Sequence, residues 1–152
     1  MTDVEIELEH IWLEARAERW PQLERFLFSY FCFRHQYLTR HGKPDRRLAE
    51  KLCPCSENAE LCTETVLEPL VPLDAVQGEI KRYQRDGKLT PSTLRRLLDS
   101  LLHYAVISRQ QKQRLKDLGY SNSMPAIWYQ KDEKSITCRF EAAGITLKLE
   151  PF

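Results

Sequence analysis

Two runs, Ile136-Thr137-Cys138-Arg139-Phe140 and Ile145-Thr146-Leu147-Lys148-Leu149, are joined by Glu141-Ala142-Ala143-Gly144. In each run apolar and polar residues alternate, which is the period of a half-buried strand. The short link carries a glycine, so the pattern predicts a β-hairpin at the C-terminus. A lone hairpin is marginal in water, so its apolar face must pack on helices. The reading of this tail decides between an all-α chain and an α+β one.

Upstream, the period changes to 3.6. Residues 2–19 read as a helix opened by a Thr2/Glu5 capping box, with Val4, Leu8, Ile11, Trp12 and Ala15 on one face. Pro21 suits the first turn of a second helix that runs to about residue 40. A short helix at 45–52 and another at 57–68, capped by Ser56, follow. Pro69 and Pro72 bracket a turn and suggest two halves, 1–70 and 71–152. Asp74 and Gln77 open a helix ending at Arg85, and Asp86-Gly87 is a turn. Thr90 and Pro91 start a helix with a stripe of Leu94, Leu97, Leu98, Leu101, Leu102 and Ala105. Ser108 and Gln111 form a capping box for a last helix, 109–118, closed by Gly119. The expected fold is therefore mainly α with a C-terminal β-hairpin: a helical bundle with a winged-helix-like second half.

The chain has 152 residues, 42% hydrophobic and 30% charged, with net charge +1. That is an ordinary globular composition. No run approaches the roughly 20 apolar residues of a membrane span, so no membrane partner is expected. The acidic start does not resemble a targeting signal. The charge is unevenly placed. Residues 1–30 carry −4, 31–52 carry +4, 53–78 carry −5 and 79–117 carry +6, while the remainder is neutral. A +6 segment in a neutral chain is a candidate anion-facing surface.

Within that segment the helix 109–118 presents Arg109, Gln110, Lys112, Gln113, Arg114 and Lys116, with Leu115 and Leu118 facing inward. Arg, Gln and Lys side chains bond base edges and phosphates, so this helix is the expected nucleic-acid-binding element. Arg82, Arg85, Arg95 and Arg96 would add phosphate contacts, and the hairpin would be the wing. The segment 90–119 resembles the short paired helices at the end of many small bacterial regulators, a likeness that carries no residue over. Trp20, Phe28, Phe33 and Tyr37 belong to an aromatic stretch denser than one core face needs. Either this helix is sandwiched within the fold, or part of it serves a homodimer or a protein partner.

Five cysteines, an odd number, argue for reduced thiols and a cytoplasmic setting. Cys53, Cys55 and Cys62 supply three candidate zinc ligands, with Cys32, His35 or His41 as a fourth, although the paired C-x2-C spacing is missing. None of the nucleophile, phosphate-loop or dinucleotide motifs occurs. The sequence thus points to a small non-enzymatic regulator that binds nucleic acid. The alternative is a pure protein-interaction module of adaptor, inhibitor or immunity type. The first expects one continuous basic face. The second expects an apolar patch near Phe28 and Phe33, with the bases dispersed or paired to the acids of 53–78.

Overall fold

The computed structural model describes residues 1–148. Thr2 caps α1 (Asp3–Arg16) with the reciprocal Glu5 box, and Ile11 and Ala15 are buried. Pro21 sits in the first turn of α2 (Trp20–His35), which stops at Gln36 in the left-handed region. α3 (Arg46–Leu52) and the single turn α4 (Glu57–Glu60) follow. Strand β1 (Thr65–Pro69) precedes α5 (Leu73–Arg85) and α6 (Pro91–Leu101). Strand β2 (Tyr104–Ser108) leads directly into α7 (Arg109–Asp117). α8 (Ala126–Gln130) and α9 (Cys138–Ala142) complete the described chain. The class is mainly helical with a small two-stranded antiparallel sheet, an α+β arrangement.

The sheet is not where the alternation placed it. β1 pairs with β2, Thr65 opposite Ser108 and Pro69 opposite Tyr104. The expected helix 57–68 ends after one turn because Thr65 and Val66 are β-branched and pair better in a sheet. The helix expected from Pro91, with its stripe reaching Ala105, stops at Leu101, and the β-branched Val106 and Ile107 beyond it join the sheet. Leu102 turns extended, and Tyr104 to Ser108 are buried throughout as strand.

The C-terminal hairpin is corrected outright. Residues 138–142 form α9, which turns both Arg139 and Phe140 inward, whereas neighbouring residues of a strand face opposite ways. Gly144, at φ +71, ends the turn. The following segment is extended but pairs elsewhere: Leu147 bridges Ser56, and the Lys148 N–H donates to the Cys55 carbonyl at 2.9 Å. Leu149 lies outside the described residues.

The described residues form two compact units, 1–49 with 76–102 and 50–75 with the chain from 103 on. Each unit is thus discontinuous in sequence. In the first unit α1 packs against α2 and α6. Its buried side chains include Ile11, Leu23, Leu27, Phe31, Leu94 and Leu98. In the second, Leu70, Ala105, Ile107, Leu115, Phe140, Ala143 and Ile145 form one cluster under α7. Among the described residues no helix is long and apolar enough to cross a membrane.

Candidate anion-binding groove

α7 is held to its unit by two buried residues, Gln111 and Leu115. Gln111 Oε1 accepts from the Ser108 N–H at 3.0 Å and from the Ser56 hydroxyl at 2.6 Å. The capping box read from the sequence is therefore also a tertiary anchor. Every other side chain of the helix is exposed. Arg109, Lys112, Gln113 and Lys116 fall at i, i+3, i+4 and i+7, which is one helical stripe. That stripe forms one wall of a groove of about 480 Å³, with Val66 and Glu68 of β1 among the residues opposite.

Glu68 is nearly buried at the base of this groove. Its Oε1 accepts from Lys112 Nζ at 2.7 Å, and its Oε2 accepts from Arg139 Nη2 at 2.8 Å. Arg139 is fully buried. Its Nε donates to the Leu70 carbonyl at 3.0 Å, its Nη1 to the Tyr120 carbonyl at 2.7 Å, and its Nη2 also to the Pro69 carbonyl. Burial pulls the Arg139 pKa down, and the bond to Glu68 opposes that pull. The carboxylate is thus held from both sides, and the groove keeps a net positive lining. Among the described residues Lys116 has no acidic partner.

The six polar residues singled out on this helix do not act together. Arg109, Lys112, Gln113 and Lys116 line the groove. Gln110 faces a shallower hollow beside Thr63 and Glu64. Arg114 Nη1 donates to the Ala143 carbonyl at 2.8 Å and so ties α7 to the end of α9. Arg109 pairs loosely with Glu64 at 3.5 Å. Two bases of the helix therefore meet acids of the 53–78 segment. Glu68 and Arg139 escaped the sequence reading, because one lay in an expected helix and the other on the outer face of an expected wing.

Arg82, Arg85, Arg95 and Arg96 belong to the first unit. Arg82 is bound by Glu79 through two bonds of 3.1 and 2.9 Å, Arg85 reaches Asp86 at 3.5 Å, and Arg95 reaches Asp99 at 3.9 Å. Arg96 is exposed. The four aromatic candidates are half-buried within the same unit. Lys81 Nζ lies 5.2 Å from the Trp20 ring centre and the Arg46 guanidinium 5.5 Å from that of Phe28. Tyr37 stacks on His35 at 5.4 Å. Neither Phe28 nor Phe33 is among the exposed large apolar residues, which include Leu13, Leu61, Leu118 and Ile127.

The cysteines are free thiols. Cys53 is buried, while Cys55 and Cys62 are half-buried. Among the described residues no three His, Cys, Asp or Glu side chains come together as a metal ion requires. The expected zinc set Cys53, Cys55 and Cys62 is therefore not assembled. Cys62 Sγ donates to Asn58 Oδ1 at 3.7 Å, a contact within its own turn. Cys32 is fully buried, and burial pushes its thiol up to about 11. The thiolate is the reacting form, so Cys32 stays unmodified by iodoacetamide at pH 8 in the folded protein and reacts in urea. Peptide mapping after labelling checks this; modification of Cys32 as fast as of Cys62 contradicts its burial.

Comparison with protein-family models, curated proteins and solved structures finds no match to this chain.

Proposed function

We propose that the chain is a non-enzymatic binding module that holds an anionic partner in the groove between β1 and α7. The observation that carries this reading is the stripe of Arg109, Lys112, Gln113 and Lys116 along one wall. Three cations face one carboxylate there, and that carboxylate is already held by Arg139. A concave site with a few convergent charged groups over an apolar base of Val66 and Leu115 is the usual form of a binding pocket. The free thiols support a cytoplasmic setting.

Nucleic acid is a second reading, supported by the exposure of Gln110 and Gln113 beside the cations, since amide side chains bond base edges. In that reading the protein is a small regulator, and Arg96 and the other arginines of the first unit add phosphate contacts. A winged-helix docking mode is not part of it, because α9 occupies the place of the wing's first strand.

The test is fluorescence anisotropy with a labelled acidic peptide and a labelled duplex, each at low and at physiological salt. Arg109→Glu combined with Lys116→Glu reverses two exposed charges on the groove wall. The double variant is expected to bind about tenfold or more weakly at low salt, with unchanged melting temperature. Binding equal to the unmodified chain, or affinity that does not fall with salt, contradicts the site.

A further inference from the structure

We infer that the first unit carries a binding site of its own, for an unpaired segment of nucleic acid, on the turn between α2 and α3. The inference does not rest on the groove. Its basis is the meeting of cations and stacked rings over residues 35–47. Residues 36–49 hold Arg40, Lys43, Arg46 and Arg47 against a single acid, Asp45. That acid is committed to the fold: its Oδ1 accepts from the Leu48 N–H at 3.2 Å and so caps α3. Arg40, Lys43 and Arg47 are exposed, and among the described residues none of the three pairs with an acid. By contrast Arg82 and Arg95 of the same unit are met by Glu79 and Asp99.

The turn that presents these cations is fixed. The Thr39 N–H donates to the Lys43 carbonyl at 2.8 Å, and the Gly42 N–H to the Thr39 carbonyl at 2.9 Å. Thr39 Oγ1 accepts from the N–H groups of His41 and Lys43 at 3.3 and 3.2 Å. Gly42 takes φ +79, which a side chain would strain. Below the tip Leu38 bridges Pro44, and the Asp45 N–H donates to the Tyr37 carbonyl at 2.9 Å. Charges held in place before binding lose little freedom on binding.

The rings stand at the foot of the same turn. Tyr37 and His35 are nearly parallel, 15° apart with centres 5.4 Å from each other. Buried Phe31 backs both, at 5.8 Å from Tyr37 and 4.6 Å from His35. Arg34 Nε donates to His35 Nε2 at 3.3 Å and holds the imidazole in this orientation. His35 is exposed and Tyr37 half-buried, so the pair offers aromatic surface to solvent beside the cations. Cations that take phosphates, next to rings that take a base, are the combination that binds single strands. A duplex keeps its base faces stacked within itself and could use the cations alone. An acidic peptide would likewise leave the rings idle.

The probes are fluorescein-labelled thymidine and uridine dodecamers, titrated into the full chain at low and at physiological salt. Binding of either supports the site, and the tighter of the two assigns DNA or RNA as its source. Arg40→Glu combined with Lys43→Glu is expected to weaken binding about tenfold or more and to flatten its salt dependence. His35→Ala is expected to weaken it about fivefold or more with the salt dependence unchanged, because it removes stacking and no charge. The same loss is expected when the unmodified chain meets an abasic strand of equal length, an arm that does not depend on any variant folding. Equal affinity for the abasic strand overturns stacking, and equal affinity for a duplex overturns the choice of an unpaired strand. Binding lost in Arg109→Glu with Lys116→Glu but kept in the turn variant overturns the placement. Absence of binding to every oligomer at low salt overturns the site, whereas the groove is judged separately by the acidic peptide.

Discussion

Replacing Arg139 by methionine lowers stability by about 3–5 kcal/mol, the usual cost of removing one partner of a buried ion pair. The guanidinium is fully buried and serves four acceptors: the carboxylate of Glu68 and the carbonyls of Leu70, Pro69 and Tyr120. Methionine fills similar space but donates nothing, so the buried carbonyls lose their donor. Glu68 keeps Lys112, which limits the loss. Urea unfolding followed through Trp128, buried in the same unit, checks the value in a Trp12→Phe, Trp20→Phe background. Replacing Glu68 by methionine as well should cost less than the two single changes added, because the orphaned charge is then gone. A loss below about 1 kcal/mol for Arg139→Met would be that of an exposed ion pair and would contradict the burial.

Replacing Arg34 by methionine costs about 2–3 kcal/mol, in the range for charged hydrogen bonds. Arg34 lies on α2 and closes the end of α6. Its Nη1 donates to the Leu98 carbonyl at 3.2 Å and to Asp99 at 3.0 Å, and its Nη2 donates to the Leu102 carbonyl. The last carbonyls of a helix have no partner within it, and a cation there also meets the negative end of the helix dipole. The Tyr30 hydroxyl donates to the same Asp99 at 2.7 Å, so the two side chains of α2 share one anchor. Amide exchange in the last turn of α6 should rise with the loss of stability. Lysine should restore little, because a single ammonium does not reproduce the fork of donors. Unchanged exchange at Leu101 and Leu102 would contradict the clamp.

What the sequence revealed and what it concealed follow from range. The capping pairs Thr2/Glu5 and Ser108/Gln111, and the stop at Gly119, are local and were legible. So was the inward direction of Leu115, whereas Leu118, expected to face inward with it, lies past the end of α7 and is exposed. The two strands were hidden because five-residue segments at the end of apolar helical stripes carry both periods. Only the pairing of β1 with β2, distant in sequence, decides between them. The tail misled for the opposite reason. Its alternation is real, yet the burial of Arg139 among backbone carbonyls outweighs it, and no local pattern marks an arginine as a core residue. The groove was half legible. The cationic stripe of α7 could be read from spacing, but its facing wall, Val66 and Glu68, comes from a segment read as helix.

The most direct test of the groove is a two-dimensional amide spectrum of the isotope-labelled full chain, titrated with the acidic peptide. The account predicts that shift changes cluster at residues 64–68 and 109–121, the two walls of the groove. Changes confined to residues 1–49, or to the arginines of α5 and α6, would contradict it and move the binding surface to the other unit.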